Sequence, residues 1–85
     1  MQSVAFIREV ANVIREIDDF ELAKSLGVDS NPDTGPNLQK RVSSLLGSLQ
    51  NPSLPSAYKL KNKALEVGMF VDNGVIQRIA QFEFM

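Results

Sequence analysis

The strongest constraint on this chain is a three-and-four spacing of apolar residues near its start. Phe6, Ile7, Val10, Val13, Ile14 and Ile17 recur at that spacing, with Arg8, Glu9, Asn12, Arg15 and Glu16 between them. Side chains three and four apart share one face of an α-helix, so residues 3–17 are expected to form an amphipathic helix capped by Ser3. A stripe this wide must be covered. The chain has 85 residues and no Cys, so no disulfide or thiolate zinc site staples the fold. An apolar core, or an interface with another chain, has to carry stability alone.

The periodicity returns three times. Asp18 or Asp19 can cap a second short helix over 20–26, or the two pieces form one bent helix, and Gly27 suits the left-handed stop that follows. Residues 27–37, GVDSNPDTGPN, are too rich in Pro, Gly and Asx for regular structure. Helix resumes over 36–50, with Pro36 in its first turn, and Leu38, Val42, Leu45 and Leu49 as its stripe. Leu46 lies beside that stripe, and Asn51-Pro52 closes the helix. Another helix over 54–67 has Pro55 in its first turn and buries Ala57, Leu60, Ala64 and Val67 before stopping at Gly68. Lys61 falls off the face shared by Lys59 and Lys63 and is expected to snorkel beside the core.

Residues 69–84 read two ways. Asp72-Asn73-Gly74 between Met69-Phe70-Val71 and Val75-Ile76 is a hairpin signal, and the hairpin is the preferred reading. Alternatively, Asp72 caps a fourth helix that uses Val75, Ile76, Ile79 and Phe82; Asn73 and Gly74 would be poor helix formers in its first turn. The expected fold is therefore a mainly α single domain spanning 1–85. It has three to four helices and a short C-terminal β-hairpin, with an all-α helical bundle as the alternative.

Composition narrows the chemistry. With 44% hydrophobic and 22% charged residues, the chain reads as an ordinary soluble globular domain. No apolar run is long enough to span a bilayer, and no secretory leader is expected. Together with the lack of Cys, this points to a cytoplasmic protein. His is absent too, which removes imidazole ligands and the commonest general base. No Gly-rich phosphate loop occurs. No enzyme activity, metal, cofactor or small-molecule substrate is expected. Asp29, Asn31 and Asp33 alternate as in a calcium loop. However, Gly35 comes one position late and Lys40 stands where a bidentate Glu is needed, so an Asx-rich turn accounts for them.

The net charge of −1 hides an uneven distribution. Residues 1–35 carry −4 and residues 66–85 carry −2, whereas 36–65 hold Lys40, Arg41, Lys59, Lys61 and Lys63 with no acid. A helix with Leu45-Leu46, a turn, the basic helix Ser56–Val67, then Gly68-Met69-Phe70 and a tight turn at Asp72-Asn73-Gly74 follow in order. Over residues 36–85 this order resembles a winged helix-turn-helix. The resemblance implies that the second helix of the pair enters the major groove of DNA and that the hairpin wing touches the backbone or minor groove. Lys59 and Lys63 would then neutralise phosphates, Asn62 would pair with adenine, and Tyr58 would stack or bond a phosphate. Lys40, Arg41 and Arg78 would supply flanking backbone contacts. By contrast, Leu22-Ala23-Lys24-Ser25-Leu26-Gly27-Val28 looks like the first helix and turn of such a motif, but Pro32, Gly35 and Pro36 interrupt what should follow. It reads as a helix and its stop.

Two functions are therefore expected from different classes. The first is a small nucleic-acid-binding or transcription-regulatory protein, working as a homodimer. The second is a non-enzymatic protein-interaction module (adaptor, inhibitor or assembly subunit) acting through surplus apolar surface at Phe6, Ile14, Phe82 and Phe84.

Overall fold

The computed structural model describes residues 4–28, 31–50 and 54–83. The expected cap Ser3, the loop residue Asp29, the closing pair Asn51-Pro52 and Phe84 lie outside the described residues. Four helices follow in order, α1 (Val4–Ser25), α2 (Thr34–Gly47), α3 (Pro55–Glu66) and α4 (Asn73–Glu83). No strand occurs among the described residues, so the fold is mainly α.

Of the two readings of this region, separate helices over 3–17 and 20–26 or a single bent helix, the structure has a single helix. α1 runs unbroken through Asp18 and Asp19 for 22 residues, a length of about 33 Å. The reason is phase. Phe6, Val10, Val13 and Ile17 are buried and Phe20 is half-buried at the same three-and-four spacing, so the stripe passes Asp18 without a jump. Both aspartates lie on the exposed side and have nothing to cap.

Glycine ends α1 and α3 in the same way. Gly27 and Gly68 have φ of 70° and 80°, a region that costs any residue with a Cβ. In α1 the Val28 N–H donates to Ala23 O at 3.0 Å and the Gly27 N–H to Lys24 O at 3.1 Å. In α3 the Met69 N–H donates to Ala64 O at 2.8 Å and the Gly68 N–H to Leu65 O at 3.2 Å. Each pair of bonds is a Schellman motif that satisfies the last carbonyls of its helix.

The expected hairpin over 69–84 is corrected to a helix. Asp72 sits at its N-cap, where Oδ2 accepts the N–H of Gly74 at 2.9 Å and of Val75 at 3.3 Å. These are the orphan donors that an N-cap carboxylate satisfies. A Cβ on residue 74 would meet Asp72 Oδ2 at 2.9 Å, so a larger residue there would have to displace the free end of the capping side chain. Packing then favours the helix over the hairpin, because Val75 and Ile79 are both buried at helical spacing. The segment before α4 is fixed by Gln39 of α2. Its Nε2 donates to Phe70 O and its Oε1 accepts the Phe70 N–H, both at 2.9 Å.

α1 packs against both α2 and α3, and α4 packs on α3. Ile17, Leu60, Ile79, Val13 and Val42 are the largest fully buried side chains, drawn from all four helices. Leu49, beyond the end of α2, is buried with them. No helix among the described residues is long and apolar enough to cross a membrane.

Candidate functional site

The outer side of α3 carries Tyr58, Lys59 and Asn62, all exposed. Residues 58 and 62 are one turn apart, and 59 lies beside them. Together with Ile14, Lys63 and Glu66 they line a shallow groove of about 300 Å³ between α1 and α3. The structure thus brings together four of the expected DNA-contacting residues, Tyr58, Lys59, Asn62 and Lys63.

Lys63, however, is not turned outward. Its Nζ lies 2.7 Å from Asp18 Oδ1 on α1. The hydrogen bond to that carboxylate holds the Lys63 ammonium above the ordinary lysine range, opposed by partial desolvation and helped by the charges of Asp18 and Glu66. Lys61 is 6% exposed, with its ammonium 5.1 Å from the centre of the Tyr58 ring. It runs beside the core, as its spacing implies, and its charge meets an aromatic face.

The three flanking cations do not extend the α3 surface. Arg41 forks between two carboxylates of α1, with Nη2 2.7 Å from Glu9 Oε1 and Nη1 2.6 Å from Glu16 Oε2. Those hydrogen bonds, the one to Glu9 foremost, raise its already high pKa. Arg78 donates from Nη2 to the Leu49 carbonyl at 3.2 Å and so ties α4 to the chain after α2. Lys40 is exposed but lines a different cleft, an open one of about 800 Å³ between α1 and α2 that also holds Asp19, Phe20 and Asn37.

The expected apolar interface residues also separate. Phe6 belongs to the core at 9% exposure, because it continues the stripe of Val10 and Val13. Ile14 is half-buried in the groove beside α3, and Phe82 is partly exposed on α4.

The largest exposed apolar side chains lie elsewhere. Leu22, Leu26 and Val28 are exposed together at the C-terminal end of α1, Leu26 at 68%. Leu22 and Leu26 are one turn apart, and Asp18 and Asp19 stand one turn earlier on that side. Phe70, also 68% exposed, is presented by a backbone that Gln39 holds at both polar atoms.

These positions were missed for identifiable reasons. Leu22 and Leu26 fall in the short helix expected over 20–26 and Val28 in the loop after Gly27, and nothing local shows that α2 leaves them uncovered. Gln39 has no local signal at all. Glu9 and Glu16 did carry one, since a seven-residue separation places two acids on one helix face, where a single guanidinium spans them.

Among the described residues, no group of three His, Cys, Asp or Glu is arranged to hold a metal ion. In the turn before α2, Asn31 Oδ1 accepts the Asp33 N–H at 2.9 Å, the bond of an Asx turn. Compared with known protein families, curated proteins and solved structures, the chain matches none.

Proposed function

We propose that this chain is a non-enzymatic protein-interaction module that docks through the exposed apolar end of α1. The observation carrying this reading is the joint exposure of Leu22, Leu26 and Val28. Adjacent apolar side chains that the fold leaves uncovered are the usual mark of a partner site. Asp18, Asp19 and Glu21 border the patch; Lys63 is paired with Asp18 and Lys24 with Glu21, which leaves Asp19 as the acid outside those two pairs. An apolar partner segment edged by basic side chains suits that border, since complementary charge speeds encounter and fixes register.

The arrangement of cations supports the same reading. Arg41 and Lys63 are bound to carboxylates of α1, and Lys61 is buried. The acid-free segment therefore presents fewer cations to an outside phosphate than its sequence suggests.

A photo-reactive side chain placed at position 26, in the cell of origin, tests the proposal. We expect discrete protein adducts at 26 that disappear with Leu22→Asp and that are absent when the probe stands at Arg8. Labelling at 26 no stronger than at position 8 would overturn the reading. Sedimentation of the purified chain separates a second copy, the expected homodimer, from a different protein.

The second reading is nucleic-acid binding by α3, favoured by the exposure of Tyr58, Lys59 and Asn62 on one side of that helix. In it, Lys59 meets a phosphate, Asn62 an adenine edge and Tyr58 a base or phosphate. α4 takes the place of the expected wing. Duplex binding that weakens with salt and is lost in Lys59→Glu would support this reading over the first.

A further inference from the structure

Asn73-Gly74 is the one Asn-Gly pair in the chain, and it forms the first two residues of α4. Both are exposed. An asparagine followed by glycine is open to attack on its own side-chain carbonyl, because no Cβ shields the next backbone nitrogen. We propose that this pair is a covalent modification site, deamidating through a succinimide, and that the Asp72 cap restrains the reaction.

The chemistry needs only water. The Gly74 nitrogen bonds to Cγ of Asn73 as it loses its proton, and the Cγ–Nδ2 bond breaks. Nδ2 leaves as ammonia. Water then opens one of the two imide carbonyls. One opening leaves aspartate at position 73, and the other leaves isoaspartate, with the main chain routed through the former side-chain carboxyl.

The cap opposes the first step in two ways. The Gly74 N–H is directed at Asp72 Oδ2, 2.9 Å away, so the nitrogen must break a charge-assisted hydrogen bond before it can attack. An anion forming on that nitrogen would also stand beside a carboxylate, which Coulomb repulsion disfavours. The same residues create the weakness and restrain it. The Gly74 that leaves Asn73 open to attack also donates the N–H that the cap holds.

The modification would act on the whole of α4. Isoaspartate lengthens the backbone inside the first turn, between the Asp72 carbonyl and the Ile76 N–H that donates to it at 3.0 Å. Losing that bond and the cap loosens a helix that packs on α3 and is tied elsewhere by Arg78 and by Gln39 through Phe70. Val75 and Ile79, buried in the folded chain, would gain access to water.

The test incubates the full chain in mildly alkaline buffer, folded and in urea, and follows Asn73 by peptide mass spectrometry with isoaspartate detection. Asn12 and Asn62 serve as internal references. We expect folded wild-type protein to convert at least about tenfold more slowly than the urea-unfolded chain, the factor that losing one N-cap removes. Asp72→Ala should abolish most of that protection. Asp72→Asn, which can cap without a charge, should fall between. Equal rates for folded and unfolded wild type, or no conversion of Asn73 in urea, would overturn the proposal. So would an Asp72→Ala protein that is helical by circular dichroism yet as slow as wild type. If that variant does not fold, the folded-against-unfolded comparison and Asp72→Asn still decide.

Discussion

Single residues set where the charges and helix ends of this chain fall. Lys63 shows how. Its pKa is raised by Asp18, so the contact stabilises the fold wherever the unfolded lysine is protonated. That contribution is lost as pH rises through the folded pKa, above the ordinary lysine value. Wild-type and Lys63→Met proteins should therefore differ in urea midpoint at neutral pH and converge in strong alkali. A gap that stays constant across that range would assign the difference to packing. Arg41, between Glu9 and Glu16 with all three side chains partly exposed, should cost only about 0.5–1 kcal/mol when replaced by Met, since screened pairs are weak. Gly68 is expected to matter as much for backbone reasons. At φ 80°, Gly68→Ala should lower stability by about 1 kcal/mol in urea unfolding.

At the level of elements, the stripes of α2 and α3 and the glycine stops at 27 and 68 were legible because each rests on spacing within one turn or two. α4 was not. Asp72-Asn73-Gly74 is locally compatible with a hairpin turn and with an N-cap, and the choice is made by distant groups. Gln39, 31 positions away, pins Phe70, and Ile79, 1% exposed, is buried one turn after Val75. The candidate site shows the same limit. The lysines and Arg41 cluster in sequence, yet the carboxylates that hold Arg41 and Lys63 lie 25, 32 and 45 positions away. A cation's neighbours in the chain therefore did not reveal its neighbours in space. The Gln39 clamp can be tested directly. Gln39→Ala removes two hydrogen bonds worth about 1 kcal/mol each. Amides of α4 should then exchange with deuterium faster, while those of α1 keep their protection. Uniform acceleration in all four helices would mean that α4 opens only with the whole fold.

The whole molecule is a small bundle whose core draws on every helix, so its stability depends on close packing. Leu60 is fully buried, and Leu60→Ala should cost about 2–5 kcal/mol in thermal or urea unfolding. The bundle also sorts the surface. Cations from the acid-free segment fold back onto the acids of α1, and apolar side chains emerge at the end of α1 and at Phe70. That sorting is the basis for reading the chain as a protein-interaction module rather than a reader of phosphate. The most direct measurement is binding of the purified protein to a mixed-sequence duplex while salt is stepped upward from a low value. The account predicts no binding even at low salt, because Arg41 and Lys63 are paired with carboxylates of α1 and Lys61 is buried, which leaves Lys40 and Lys59 exposed beside different clefts. Tight binding that falls steeply with salt and vanishes in Lys59→Glu would contradict it and place function on the outer side of α3.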